Sequence, residues 1–343
     1  MSDALLSPVV GGAFWSGSLG IIAYCARKLK KDLDEKMVPL MGVLGAFIFA
    51  AQMINFTIPG TGSSGHLGGG MILAVILGPY AAFLVMASVL TVQAFFFADG
   101  GLLALGCNIW NLGVYPCFVA YPLIYRPLVN AESSSKRITI AAVASGVVGL
   151  QLGAFSVVIE TLLSGRSELP LQTFAIMMQP IHLGIGLVEG FVTAGVINFI
   201  KAARPEILES TSSARPLPVN ISTGKVLASI LVMTLLTSGG LSWFASTNPD
   251  GLEWSIEKTF GRRELPARES GIAPALKSIQ GKTAFMSEYG FRGPEGAGES
   301  KGKPAWPVTD AGRSASGVVG SALVLAAVLV VGIAIRALRR KST

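Results

Sequence analysis

The sequence predicts an all-α integral membrane protein. About nine transmembrane segments are expected: a seven-segment bundle, then two helices flanking an extracytoplasmic segment, with the amino terminus outside and the carboxyl terminus inside. Three observations lead there. Of 343 residues 51% are apolar and only 14% charged, far from the balance of a soluble domain of this length. Apolar runs recur at about 9–26, 38–56, 67–78, 79–98, 102–125, 138–163, 172–200, 225–244 and 316–335, and a bilayer core about 30 Å thick needs roughly 20 such residues per helix. The lysines and arginines alternate from one connection to the next.

The first run carries no basic stretch before it; Ser2 and Asp3 stand where a signal peptide would be positive, so it reads as a retained helix. The run 67–78 is the odd one. Twelve helical residues rise only about 18 Å, so either the preceding loop enters the membrane or the helix begins partway down. That loop, Gly60 to Gly70, is rich in glycine and holds His66, one of two histidines in the chain. Imidazole is the commonest side-chain ligand of transition metals, and a glycine backbone can close around a small ion. The same loop also reads as a turn that contains a histidine.

Charge orients the bundle. The stretches 27–36, 126–137, 201–225 and 336–341 hold sixteen of the 27 basic residues, whereas the alternate short loops hold Arg166 alone. The positive-inside rule places those four stretches in the cytoplasm. The other ten lie in the long 245–315 segment, where the rule loses force. Topology thus accounts for the net charge of +7, and no nucleic-acid partner is implied. Composition divides the chain into a membrane unit (1–201), a cytoplasmic linker rich in proline, serine and charge (202–224), and a second unit (225–343). The second unit comprises a helix, the external segment 245–315 and a final helix. Short helices and loops resting on the first unit are expected there, partly disordered near 292–305. Cys25, Cys107 and Cys117 lie in apolar runs without metal or disulfide spacing, and read as small buried hydrophobes.

Polar residues inside a membrane are costly and usually face a cavity or another helix. Gln52, Asn55, Asp99, Asn108, Asn111 and Glu160 fall toward the outer ends of their runs, where they could line an external pocket with His66; Gln93 lies deeper. Each also reads as a helix-to-helix hydrogen bond or cap. His182 and Glu189 share one helical face about 10.5 Å apart, too far to chelate one ion together. Gly186 and Gly190 beside them have the spacing that lets helices approach closely. No nucleophile elbow, zinc-protease motif or paired carboxylates occur, and Gly281-Lys282-Thr283 lacks the first glycine of a phosphate loop, with Leu276 in its place. The chain reads as no enzyme. Any uphill movement must draw on another protein or an ion gradient.

The motifs carry a resemblance. Asp3 to Gly12, Val38 to Phe56, Gly62-Ser-Ser-Gly-His66-Leu-Gly-Gly-Gly70, Leu77-Gly-Pro-Tyr80, Asp99-Gly-Gly-Leu102 with Gly106 and Asn108, and His182-Leu-Gly-Ile-Gly-Leu-Val-Glu189 resemble the CbiM/NikM family across roughly 1–201. These are metal-capturing membrane subunits of cobalt and nickel energy-coupling-factor (ECF) transporters. Asn248-Pro-Asp-Gly-Leu-Glu253 is the signature of the PDGLE domain, similar to that family's small companion subunit. The resemblance implies a multi-pass protein of the cytoplasmic membrane that captures Co²⁺ or Ni²⁺ for ATP-driven import. It also implies a transmembrane scaffold (T) subunit and paired ATPase subunits as partners, no ATPase in this chain and no resident cofactor. Its ligands would be nitrogens: the terminal amine, a histidine at position two and the histidine of the glycine loop. Here that means Met1 and His66 as metal ligands. The chain departs from the pattern in opening Met1-Ser2-Asp3, with Met1 aligned to the family's third residue; either the start is assigned two residues late, which is the expectation, or the site is changed. The competing function is a metal carrier or channel driven by an ion gradient, with Asp99, Glu160 or the His182–Glu189 pair carrying protons.

Overall fold

In the computed structural model, residues 1–343 are described except 33, 35, 167, 214–217, 219–222, 264, 267–270, 292–306, 308 and 341–343. Helix α1 (Pro8–Asp32) opens at a proline, whose fixed φ suits the first turn, and closes among Lys30 and Lys31, cations at the negative end of the helix dipole. Helix α2 (Met37–Gln52) leads into a hairpin of β1 (Phe56–Ile58) and β2 (Ser63–Gly65), paired antiparallel with Thr57 opposite Ser64. Gly60 and Gly62 both take positive φ in its turn, which favours glycine. Helix α3 (Gly70–Leu77) stops at Gly78, also at positive φ, and Pro79 starts α4 (Pro79–Phe96).

The chain continues through α5 (Leu105–Ile109) into wide π-helical turns over Trp110–Tyr125, with Pro116 and Pro122 inside, and then α6 (Arg126–Leu128). Proline removes a backbone donor and crowds the preceding turn, so a regular α-helix is not sustained here. Two long helices follow, α7 (Ser135–Leu163) and α8 (Leu171–Ala203). Next come α9 (Pro205–Ser213), α10 (Gly224–Gly239), α11 (Gly251–Phe260), α12 (Ala273–Thr283) and α13 (Ala311–Arg340).

Helices α2, α3 and α4 form the centre and are buried over nearly their whole circumference. Small residues set how closely the others pack around them. Gly186 and Gly190 of α8 lie on the α7 backbone, where a Cβ on Gly186 would come within 2.8 Å of Val147 Cα. On α2, Gly42 faces Leu325 and Gly45 faces Val324, both on α13, while Gly320 of α13 receives the ring of Phe49. The second unit is thus packed into the first. Exposed Ile140, Phe155, Leu183 and Phe191 clothe α7 and α8 in apolar surface suited to lipid. The protein is a multi-pass membrane protein.

The expected count of about nine crossings is not met. Among the described residues five helices are long and apolar enough to span a membrane: Pro8–Lys31, Pro79–Phe96, Ser135–Leu163, Leu171–Ala203 and Ala311–Arg339. The expectation of seven bundle segments plus two flanking spans, and the nine-crossing path from outside to inside, is corrected accordingly. Apolar run length overcounted helix length. Run 38–56 gives up its end to the hairpin, run 67–78 holds an eight-residue helix, and run 102–125 changes helix type at Trp110. Run 225–244 yields 16 helical residues and stops at Gly239-Gly240. A small hairpin also qualifies the all-α expectation.

Within the stretch expected as a linker, residues 205–213 are helical, and Thr211 Oγ1 donates to Ile76 O at 2.7 Å. The expected disorder near 292–305 lies outside the described residues. All three cysteines are free and buried.

Candidate metal site

A cavity of about 130 Å³ opens where the amino terminus, the glycine loop, α8 and the start of α11 meet. Met1, His66, Asn108, Asn111, His182 and Asp250 supply its polar wall; Leu112, Leu150, Met178, Ile185 and Leu252 are among its apolar lining. One water needs roughly 10–15 Å³ of such space, so a metal ion with residual waters fits. Among the described residues no three His, Cys, Asp or Glu side chains gather as a metal cluster. Met1 and His66 do line one cavity.

His66 follows β2 directly, and its Nδ1 lies 3.0 Å from Leu67 O. A carbonyl only accepts, so Nδ1 carries the proton and Nε2 keeps its lone pair, the arrangement that prepares an imidazole for a metal. The peptide at Gly68 is gripped from both sides. Its N–H donates to Glu189 Oε2 at 2.7 Å, and its carbonyl accepts from Gln52 Nε2 at 2.8 Å. Gln93 Nε2 in turn holds Gln52 Oε1 at 2.9 Å. The amides of Gly69 and Met71 also point at Glu189, so its carboxylate caps the start of α3. No side chain fits at Gly68, where a Cβ would stand 2.8 Å from Glu189 Oε2.

The amino terminus is seated just as deliberately. Met1 O accepts from Gly101 N at 3.1 Å and from Asn108 Nδ2 at 3.4 Å. Asp3 Oδ1 accepts from Ala104 N at 2.9 Å, and a Cβ on Gly101 would overlap Asp3. Burial pushes the Asp3 carboxyl above its usual value, against the lowering effect of those amides. The Arg166 guanidinium donates to Ala4 O, with Nε at 2.6 Å, and reaches Pro266 O at 3.1 Å. The glycines after Asp99 therefore serve as the seat of residues 1–4.

The PDGLE hexapeptide docks on the other side. Pro249 O accepts from Ser64 N at 2.7 Å, and Asn248 O from Ser64 Oγ at 2.9 Å, two residues before His66. Ser246 N donates to Asn55 O at 2.7 Å. Asp250 Oδ1 then accepts from Glu253 N at 2.8 Å while Glu253 Oε2 accepts from Asp250 N at 3.2 Å, a reciprocal cap that starts α11. Gly251 has no room for a side chain: a Cβ would lie 2.8 Å from Ile181 and 3.3 Å from the His182 ring. Asp250→Ala is expected to cost about 0.5–2 kcal/mol of local stability and to speed proteolysis within 246–260 while the membrane helices stay protected. Limited proteolysis of the two proteins side by side checks this.

The other polar residues divide. Asn108 and Asn111 line the cavity, and Gln52, Gln93 and Glu189 stand behind the loop. Glu160 sits under Asn111, accepting its Nδ2 at 3.1 Å. Asn111 is 5% exposed and its Oδ1 has no hydrogen-bond partner. Asp99 instead accepts from the Tyr289 hydroxyl. Burial and that carboxylate push the Tyr289 phenol well above the usual tyrosine value, so it remains a donor. Asn55 contributes its backbone carbonyl. His182, Ser64 and Asp250 also stand here, which the sequence alone does not show; His182 lines the cavity, whereas Glu189 holds the Gly68 peptide.

Residues 1–207 match the model of the cobalt uptake substrate-specific transmembrane region, CbiM, and residues 224–337 match the PDGLE domain. The chain belongs to the CbiM family. It is a cobalt/nickel-type metal transport protein and a transporter subunit rather than an enzyme. It is 37% identical over 229 residues to a putative fused nickel transport protein NikMN of Archaeoglobus fulgidus, covering 67% of this chain and 74% of that one. With the fused nickel transport protein NikMN of Rhodobacter capsulatus it shares 29% over 303 residues, 83% and 84% of the two chains. The cobalt transport protein CbiM of Sorangium cellulosum matches at 29% over 60% of this chain and 93% of its own. A crystal structure of a truncated transition metal transporter superposes with a TM-score of 0.52 at 31% identity, covering 59% of this chain and 98% of that one.

Proposed function

We propose that this CbiM-family chain is the substrate-capture subunit of an ATP-driven energy-coupling-factor transporter that imports Co²⁺ or Ni²⁺. The observation that carries the reading is the cavity shared by Met1 and His66, with the His66 Nε2 lone pair free. Terminal amine, backbone and imidazole nitrogens suit these ions. The domain division follows: 1–201 holds the ion, 202–224 links, and 225–343 closes one wall of the site with Asp250, Gly251 and Leu252.

Basic residues gather at the opposite end of the helices. Lys30, Arg336 and Arg339 ring one cavity there, and Arg126 and Lys201 another. That end faces the cytoplasm by the positive-inside rule and offers the surface on which the scaffold subunit and its paired ATPases would act. The ion then enters from the other side.

The test is calorimetric titration of the purified full chain with Ni²⁺ and with Co²⁺, followed by uptake in vesicles carrying the scaffold and ATPase subunits. Saturable binding of either ion at one site, and uptake that stops without ATP, is the expected result. Binding of neither ion overturns the capture reading. Uptake that follows a proton gradient without ATP replaces it with a gradient-driven carrier.

A further inference from the structure

We infer that His182 is a second imidazole ligand of the captured ion, in the cavity it shares with His66; this rests on the metal-capture reading. The chain has only two histidines, on different elements and far apart in sequence, and both line this one cavity. Both rings are prepared in the same way. His182 Nδ1 lies 2.9 Å from Met178 O, as His66 Nδ1 lies 3.0 Å from Leu67 O. Each Nδ1 is therefore a donor to a carbonyl, and each Nε2 is left as an acceptor that a cation can take.

The position of His182 is itself informative. It lies within α8, one of the five membrane-length helices, where an ionisable side chain is costly and usually serves a site or a pathway. A ring needed only to fill space there would be replaced by leucine or phenylalanine at lower cost. Gly251 keeps the space beside the ring open, since a Cβ there would come within 3.3 Å of it. Asp250 on the adjoining wall adds a carboxylate near the cation.

With His182 included, the ion is held by three separate parts of the chain: the amino terminus with the glycine loop, α8, and the start of the PDGLE helix that rests on α8. Ion binding therefore draws α8 and α11 toward the loop. Two imidazoles also favour nitrogen-seeking ions over magnesium or calcium, which prefer oxygen.

Pulsed EPR of the full-length protein loaded with Cu²⁺ as the probe ion counts coordinated imidazoles directly. Two are expected in the unsubstituted protein and one in each of His66→Gln and His182→Gln, with Ni²⁺ affinity in His182→Gln about tenfold lower or more. One imidazole in the unsubstituted protein, lost on His66→Gln and kept on His182→Gln, overturns the inference and leaves metal capture standing. No bound imidazole and no Ni²⁺ or Co²⁺ binding overturns both. The count in the unsubstituted protein needs no variant to fold, so a destabilised His182→Gln does not blunt the test.

Discussion

His66→Ala is expected to lower Ni²⁺ or Co²⁺ affinity about a hundredfold or more, and Glu189→Ala to do nearly the same from behind the cavity wall. The first removes a prepared nitrogen donor. The second removes the carboxylate that accepts Gly68 N at 2.7 Å and receives the Gly69 and Met71 amides. Each buried amide left without a partner costs about 1–3 kcal/mol, and the loop recovers that cost by shifting. A shifted Gly68 carries Leu67 and His66 with it, because Gln52 alone then holds the peptide through its carbonyl. Glu189→Gln retains one acceptor oxygen and should lose only about tenfold. Titration calorimetry on the three variants, with thermal unfolding alongside, decides the matter. Binding by Glu189→Ala equal to that of the parent would show that the glycine loop is held by other contacts.

Gly320→Leu is expected to be the most damaging single change away from the site. A Cβ at Gly320 would overlap the ring of Phe49, which is fully buried and packs on Phe97 with ring centroids 5.2 Å apart. That ring has no free direction in which to move. Overpacking of this kind costs typically 1–3 kcal/mol and more where the neighbours are rigid. Helix α13 must then lift from α2, breaking the 3.2 Å bond from Ser321 Oγ to Ala46 O. The midpoint of thermal unfolding in detergent should fall by several degrees, and a disulfide engineered between positions 46 and 321 should form poorly. Gly195→Ala is the matched control: that helical glycine has nothing within 4 Å of an added Cβ, and the change should be neutral or mildly stabilising. A Gly320→Leu protein as stable as its parent would show that the α2–α13 seam is loose.

How legible was this from the chain alone? His66 stood out because glycine density and scarcity of histidine are both visible in sequence. Gln52, Gln93 and Glu189 could be flagged as polar residues in apolar runs, but the Gly68 peptide that Gln52 and Glu189 share, with Gln93 behind Gln52, could not. Glu189 and Gly68 are 121 residues apart, and a backbone amide leaves no mark in the sequence. The docking of the PDGLE hexapeptide was hidden for the same reason: its key bond joins the backbone of Ser64 and Pro249. The segment count failed where glycine and proline act. Hydropathy does not register that the run holding Pro116 and Pro122 changes helix type, or that Gly239-Gly240 ends α10 early. The Gly186/Gly190 spacing, by contrast, correctly announced the close α7–α8 seam, because small residues at that interval have one common use.

The cavity wall runs from Met1 to Leu252, and this has a consequence for biosynthesis. Domains emerge from the ribosome amino-terminal part first, so the glycine loop and α8 are made well before the hexapeptide that completes their enclosure. Until residue 252 has left the exit tunnel, the nascent chain lacks the wall that Asp250, Gly251 and Leu252 supply. That wall is thereby completed only late in translation, while the last membrane-length helix, Ala311–Arg339, is still to come.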